Sequence, residues 1–160
     1  EVPVGCVIIY NGEVIARAHN MRHNLRCSVY HAEILAIMEA CKKLDRWILD
    51  DCTMYVTLEP CLMCSGAIIQ SRIKRLVYGL SEDRFGCIEN TFEYISDHFQ
   101  KYLTYSNLPL NIQNRAKDIF YVKGLKYKRN DKTHKKEKYH EKRKAIWNVL
   151  RLIEGLKHSG

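Results

Sequence analysis

The chain has 160 residues, of which 46% are hydrophobic and 28% are charged, and its formal net charge is +8. This size and composition fit one folded domain with its own core and exclude a wholly disordered chain. No apolar run approaches the roughly 18–20 residues that a membrane-spanning helix needs, so no membrane association is expected. The seven cysteines lack the even number and regular spacing of a small disulfide-bonded secreted domain, so we expect a reducing compartment.

The N-terminal segment predicts a β-hairpin followed by a helix. Two β-branched runs within residues 4–16 flank the pair Asn11-Gly12, which favours the positive φ angles of a type I′ turn. From Ile34 to Leu44, apolar residues recur at helical spacing on one face. We therefore expect a hairpin followed by an amphipathic helix.

A strand, a second helix and a further strand are expected next. The runs TMYVTL at 53–58 and IKRLVYGL at 73–80 are strand-like, and Pro60 suits the first turn of a helix that runs to about Ser71. Strands that alternate with amphipathic helices predict an α/β layered domain with at least one parallel strand pair. Beyond residue 90, the expected elements are a helix over 92–103, a strand over 118–124 and a terminal helix over 145–156.

The positive charge is concentrated near the C-terminus. Residues 126–144 hold ten Lys and Arg against three Asp and Glu, so this basic segment carries most of the net charge. Such a segment attracts polyanions through counterion release. The alternative is a solvated charged surface that binds nothing specific. We expect one domain over 1–125 and, over 126–160, the basic segment with a C-terminal helix that packs on or extends the same domain.

Two short motifs carry candidate metal ligands. His31 opens the first helix, and Cys61 and Cys64 open the second, where positions i and i+3 lie on one face. One histidine and two cysteines suit Zn²⁺, and three protein ligands leave the fourth tetrahedral position for water, as in catalytic zinc sites. Water held there has its pKa lowered to about 7. Glu33 is then the candidate proton carrier rather than a ligand.

Other interpretations of these residues stay open. The Cys61–Cys64 pair could be a redox dithiol, although no aromatic or glycine context supports it, and His31 could be a hydrogen-bonded core residue. A structural zinc would need a fourth ligand, which Cys87 or another histidine could supply in three dimensions. The remaining cysteines are expected to be small core hydrophobes: Cys6, Cys27, Cys41, Cys52 and Cys87.

The sequence HAE at 31–33, followed by PCLMC at 60–64, resembles the zinc-dependent cytidine-deaminase-like superfamily, which has an H-x-E and P-C-x-x-C signature. Within it, the chain is similar in particular to the tRNA adenosine deaminases, up to about residue 86. That similarity rests on EVPVGCVI (1–8), TLEPCLMCSGAI (57–68) and RIKRLVYG (72–79). The resemblance implies a three-layer α/β/α fold with a mixed central sheet of about five strands.

The resemblance also implies an activity, which is zinc-dependent deamination of adenosine to inosine at the wobble position (34) of tRNA anticodons. One catalytic zinc ion per chain would be held by the three ligands named above, with Glu33 as the catalytic residue. Asn20 would contact the base edge, because a carboxamide offers both a donor and an acceptor; a turn-capping role is the alternative. Backbone groups around Leu58 and Glu59 would line the pocket, and Arg84 would lie near the RNA path.

The implied partner is a tRNA anticodon stem-loop, with the basic segment as an added RNA-binding device. The family acts as a dimer, so we expect a homodimer, with a heterodimer of related subunits as the alternative. We expect a cytoplasmic protein, with an organelle as the alternative because the chain begins at Glu1 rather than Met. Two other functions stay open. A free nucleobase or nucleoside deaminase acting on guanine, cytosine or cytidine shares both motifs. A non-catalytic zinc-binding subunit that docks tRNA would not need Glu33.

Overall fold

The computed structural model of the chain describes residues 2–88, 104–107 and 151, and within these residues the chain forms five strands and two helices. They are β1 (Gly5–Tyr10), β2 (Glu13–His19), α1 (Ala32–Leu44), β3 (Cys52–Leu58), α2 (Leu62–Gln70), β4 (Arg75–Leu80) and β5 (Thr104–Asn107). The predicted order of hairpin, helix, strand, helix and strand is confirmed. The second helix begins at Leu62 rather than at Pro60, with Cys61 as its N-cap.

The turn between β1 and β2 has the geometry that its sequence predicts. Asn11 has a φ of 47° and Gly12 a φ of 77°, the left-handed values that a type I′ turn requires at both central residues. The strand register shifts by one residue between Ile8 and Ile9, a bulge that increases the local twist. The hairpin forms one edge of the sheet.

The five strands form one mixed sheet in the order β2-β1-β3-β4-β5. β1 is antiparallel to both β2 and β3, whereas β3 and β4, and β4 and β5, are parallel. α2 connects β3 to β4, which is the helical crossover that a parallel pair requires. The prediction of an α/β fold with a mixed sheet of about five strands is confirmed.

The core lies between one face of this sheet and both helices. Alanines on α1 and Ile68 on α2 pack against alternate residues of the central strands, and the small alanine side chains allow α1 to lie close to the sheet. Burial of each large apolar side chain contributes roughly 1.5–3 kcal/mol. The strand residues that form this face are Cys6, Ile8, Met54, Val56, Leu76 and Tyr78. Val7 and Val77, which alternate with them, are buried on the opposite face.

The cysteines outside the candidate ligand set do not all lie in the core. Cys6, Cys52 and Cys87 are buried as predicted, and the half-buried Cys41 packs against the core. The prediction was wrong for Cys27, which is half-buried in the loop between β2 and α1, among residues that are mostly exposed. Its place in a largely exposed loop, rather than on the core face of a helix or strand, removes it from the core.

Several predicted segments lie outside the described residues. These are the helix over 92–103, the strand over 118–124, the basic segment 126–144 and the helix over 145–156, apart from residue 151, which is helical. The division of the chain at residue 125 therefore stays a prediction, as does a helical layer on the second face of the sheet. β5 was not predicted, since its four residues TYSN are too short for a recognisable strand pattern. Within the described part of the chain, no helix is both long and apolar enough to cross a membrane.

Candidate metal centre

The first residues of the two helices supply the candidate ligands. His31 is the N-cap of α1 and Cys61 the N-cap of α2, and both have extended backbone angles. An N-cap side chain usually accepts a hydrogen bond from the first turn of its helix, but the His31 ring accepts none. Cys64 lies one turn further along α2 and is buried. The helices thus direct three soft-to-borderline donor groups toward one point.

The distances between these donor atoms fit a tetrahedral zinc ion. His31 Nδ1 lies 3.7 Å from Cys61 Sγ and 3.5 Å from Cys64 Sγ, and all three ligand atoms lie within 4.8 Å of one another. With zinc bonds of about 2.0–2.1 Å to nitrogen and about 2.3 Å to sulfur, tetrahedral geometry places the nitrogen and sulfur atoms about 3.6 Å apart. The described residues therefore contain a site whose donor types and spacing both suit zinc.

Cys87 is not a fourth ligand of this cluster. Its thiol donates a hydrogen bond to Ser65 Oγ at 2.8 Å, and the ligand cluster found among the described residues consists of His31, Cys61 and Cys64. Three ligands from the protein leave one coordination position for water or substrate, as in catalytic zinc sites. This arrangement favours the catalytic interpretation of the motifs over the structural one.

The two thiols of the cluster have opposite proton affinities. A hydrogen bond from the Cys64 thiol, supported by backbone N–H groups of Cys64 and Met63 and by the charge on His31, lowers the pKa of Cys61 to about 5. Donation of that hydrogen bond, together with burial, raises the pKa of Cys64 well above its usual value. The start of α2 thus stabilises a thiolate, the form in which cysteine binds metal.

Glu33 lies beside the ligands and is 3% exposed. Burial raises the pKa of its carboxyl group to about 7. Hydrogen bonds that the carboxylate accepts from its own backbone N–H and from the Cys64 thiol oppose this effect, and the charge on Cys61 adds to it. Its Oε2 atom has no hydrogen-bond partner among the described residues. Because an unsatisfied buried polar atom costs roughly 1–3 kcal/mol, its persistence beside three metal ligands indicates a group reserved for water or substrate at the metal.

Asn20 directly follows β2 in the chain, and its side chain lies at the start of α1. Its Oδ1 accepts the N–H of Ala32 at 2.9 Å, and its Nδ2 donates to the carbonyl of Val2 at 3.0 Å. These bonds connect the N-terminal segment to the helix that carries Glu33. The capping interpretation therefore has a structural basis, and the predicted contact with a substrate base stays a prediction.

Leu58, Glu59 and Arg84 lie around the ligand segment rather than in the cluster. The N–H of Glu59 donates to the Leu80 carbonyl at 2.7 Å, which continues the pairing of β3 with β4 beyond Leu58. The carboxyl group of Glu59 accepts the N–H groups of Glu82 and Ile88 at 2.9 and 2.8 Å. Arg84 is exposed, and its own N–H donates to the Glu82 side chain at 3.1 Å. The sequence motifs gave no signal for this role of the Glu59 side chain, since its partners lie 23 and 29 residues away.

The fold and the ligand cluster together define the class of protein. A mixed sheet, two helix starts that supply one histidine and two cysteines, and a buried glutamate beside them are features of the zinc-dependent deaminases. A family model described as MafB19-like deaminase matches residues 1–138. The chain belongs to this deaminase family.

Individual relatives agree with this assignment. The chain is 53% identical over 87 residues to the tRNA-specific adenosine deaminase of Bacillus subtilis (strain 168), which covers 54% of this chain and 54% of that protein. The chain therefore spans about half the length of this curated relative. This similarity confirms the resemblance to tRNA adenosine deaminases that the motifs indicated.

Two solved structures are similar in fold to this chain. One comes from work on A-to-I editing by tRNA:A34 deaminases at the wobble position of transfer RNA; it matches with a TM-score of 0.62 and 37% identity, over 67% of this chain and 78% of that chain. The other is a guanine deaminase from Bacillus subtilis, with a TM-score of 0.50 and 37% identity, over 59% of this chain and 61% of that chain. Deaminases of a tRNA base and of a free base thus share this architecture.

Proposed function

We propose that this chain is a zinc-dependent deaminase that converts adenosine to inosine at the wobble position (34) of tRNA anticodons. The observation that carries the proposal is the buried carboxyl group of Glu33, with one oxygen lacking a partner among the described residues, beside His31, Cys61 and Cys64. The name of the Bacillus subtilis relative, a tRNA-specific adenosine deaminase, supports the choice of substrate.

The three ligands would hold one zinc ion per chain, which when bound supplies an activated water as the nucleophile. Glu33 would accept a proton from that water and deliver it to the ring nitrogen adjacent to C6 of adenine. It would then pass the proton of the hydroxyl group that has added to C6 to the amino group, so that the C6–N bond breaks, ammonia leaves and inosine is formed. A carboxyl group with a pKa of about 7 is suited to both steps, because it accepts and donates protons near neutral pH.

The reacting adenine has to leave the stacked anticodon loop before it can approach Glu33. We assign Asn20 to the base edge. Beyond its bonds to Val2 and Ala32, its Nδ2 keeps a second hydrogen and its Oδ1 a second lone pair, so both atoms are able to contact the base edge. Backbone groups around Leu58 and Glu59 would line the pocket, and Arg84 would lie along the RNA.

The same proposal extends to the partners of the chain. The substrate would be the tRNA anticodon stem-loop, and the basic segment 126–144 would add a salt-dependent attraction to its phosphates. We expect the chain to act as a homodimer, with a heterodimer of related subunits as the alternative, and to work in the cytoplasm.

The second candidate is a free-base deaminase acting on guanine, favoured by the structural similarity to a guanine deaminase. A substrate panel separates the two. Zinc-loaded protein would be incubated with a tRNA transcript that carries adenosine at position 34 and, in parallel, with free adenosine, cytidine and guanine. We expect inosine in the transcript alone. Turnover of guanine without inosine in the transcript would keep the zinc chemistry and replace the substrate.

Two variants on the same helix complete this experiment. Glu33→Ala removes the proton carrier and should abolish inosine formation. Glu39→Gln is a matched control, because Glu39 is an exposed residue in the middle of α1 whose carboxyl group accepts the Arg17 N–H at 3.1 Å. It should leave inosine formation unchanged.

A further inference from the structure

The loop that follows β4 is fastened to the start of α2. We call residues 82–88 the post-β4 loop. Its Gly86 forms an isolated antiparallel bridge with Cys61, and the N–H of Cys87 donates to the Pro60 carbonyl at 3.2 Å. The Cys87 thiol adds a bond to Ser65 Oγ at 2.8 Å. The loop is thus attached directly to the segment that carries two of the metal ligands.

Glu59 connects the two ends of this loop. It is 4% exposed, and its two carboxyl oxygens accept the N–H of Glu82 at 2.9 Å and the N–H of Ile88 at 2.8 Å. One buried side chain therefore satisfies the first and the last backbone donor of the loop. Bonds from a backbone N–H to a carboxyl group are stronger than those between neutral groups, so this contact holds the loop firmly.

Gly86 allows the loop to lie this close. A Cβ atom at this position would overlap the Glu59 carboxyl group and the Glu82 carbonyl oxygen. The Gly86 N–H donates to that same carbonyl at 2.9 Å, which closes a turn. The fit between Gly86 and Glu59 indicates that the loop has one specific position over the ligand segment.

The loop exposes an aromatic ring and a guanidinium group next to this anchor. Phe85 is 72% exposed and Arg84 is also exposed, and they immediately precede Gly86, the residue paired with Cys61. Because the Phe85 ring is largely exposed, it buries little apolar surface and adds little to the stability of the fold. Unstacked bases bind to aromatic rings and their phosphates bind to cations, so this pair suits single-stranded RNA.

We propose that Glu59 is a positioning residue that holds the post-β4 loop over the metal-ligand segment, so that Arg84 and Phe85 bind the single-stranded RNA that flanks the reacting adenine. The role of the RNA rests on the proposed function, whereas the fastening of the loop does not. Glu59 acts through the loop and takes no part in the proton transfers.

Limited trypsin digestion tests the fastening, because the Arg84–Phe85 bond is a trypsin site within the loop. Glu59→Gln keeps the shape of the side chain but places an amide NH2 group opposite one of the two backbone N–H donors, which therefore loses its hydrogen bond. Cleavage after Arg84, followed by mass spectrometry, should become about tenfold faster because the loop opens more often. Cleavage after Arg22, in the exposed loop before α1, serves as the internal control and should keep its rate. Unchanged cleavage after Arg84 would overturn the proposal.

RNA kinetics test the purpose of the fastening. With an anticodon stem-loop RNA that carries adenosine at position 34, we expect the KM of Glu59→Gln to rise about tenfold, similar to the loss of one base stack, and kcat to change much less. The bound zinc should stay at one ion per chain. Phe85→Ala should raise KM by a similar factor. The double variant should show little further increase in KM, because both changes remove the same contact between the post-β4 loop and RNA. The proposal would be overturned if the two changes had additive effects on the free energy derived from KM. It would also be overturned if Glu59→Gln were cleaved faster after Arg84 but kept the KM of the wild type.

A second variant guards against a folding defect in Glu59→Gln. Gly86→Ala displaces the loop from the opposite side of the same contact. It should speed cleavage after Arg84 and raise KM by the same factors as Glu59→Gln. Glu39→Gln is the matched control for loss of a carboxyl acceptor of a backbone N–H and should resemble the wild type in both assays. If the wild type deaminates no RNA, the proposed function fails and the RNA role of the loop with it, while the trypsin result still decides the role of Glu59 in the loop.

Discussion

Replacing Glu33 by glutamine should stabilise the zinc-free fold above pH 7 while it abolishes deamination. Burial raises the pKa of Glu33 from its ordinary value of 4.5 to about 7. At roughly 1.4 kcal/mol per pH unit, this difference corresponds to about 3 kcal/mol of unfavourable free energy when the buried group is ionised. Glutamine has nearly the same shape as the protonated acid and cannot ionise, so it avoids this cost.

The sign of the pH dependence follows from the direction of that pKa. Because its pKa is higher in the folded protein, Glu33 is protonated to a greater extent in the folded than in the unfolded chain between about pH 4.5 and 7. As the pH rises through this window, the free energy of unfolding of the wild type therefore falls relative to that of Glu33→Gln. The fall is complete above about pH 7. The two proteins should be similarly stable near pH 4.5 and differ by up to about 3 kcal/mol at pH 8.5.

Urea denaturation of chelator-treated, reduced protein at both pH values measures this difference. Glu39→Gln, on the exposed side of α1, controls for the general effect of removing a carboxyl group and should show no comparable gain. The reasoning is refuted if Glu33→Gln is no more stable than the wild type at pH 8.5, or if the difference is the same at both pH values. A gain in stability with a loss of activity would show that the fold tolerates strain for its chemistry.

Three further predictions follow from the site and the fold. Cys64→Ala should abolish zinc binding and inosine formation, because it leaves two ligands; metal analysis of the purified variant would find far less than one zinc ion per chain. Gly12→Ala should lower the free energy of unfolding by about 1 kcal/mol, since Gly12 has a φ of 77°; urea titration checks this, and no change would contradict the turn geometry. Met54→Ala should cost about 2–5 kcal/mol, because Met54 is fully buried in a central strand; a lowered denaturation midpoint checks this, and a loss below 1 kcal/mol would contradict its place in the core.

Sequence reasoning located the features whose causes are local. The Asn11-Gly12 pair determines its own turn. The Cys61–Cys64 pair was recognisable because the start of α2 places both cysteines within four residues. The joining of the two helix starts required the whole sheet; it was predicted from the donor types of His31, Cys61 and Cys64 together, and the family resemblance then supported it.

Features that depend on distant parts of the chain were not predicted. The Glu59 side chain was assigned only a place near the pocket, because nothing in the residues around it identifies the N–H groups of Glu82 and Ile88 as its partners. β5 is parallel to β4 and consists of four residues, so its pairing depends on the neighbouring strand more than on its own pattern. Cys27 was predicted to lie in the core because of its residue type. It lies in a largely exposed loop, so residue type alone does not place a side chain in the core.

The account is tested most directly by measuring inosine at position 34 of a tRNA transcript as a function of the zinc bound per chain. We predict that the rate of inosine formation rises in proportion to bound zinc and saturates at one ion per chain, with editing at that position alone. Glu33→Ala should bind the same zinc and form no inosine. Inosine formation that does not depend on zinc, or a fully zinc-loaded wild type that leaves the transcript unchanged, would contradict the account.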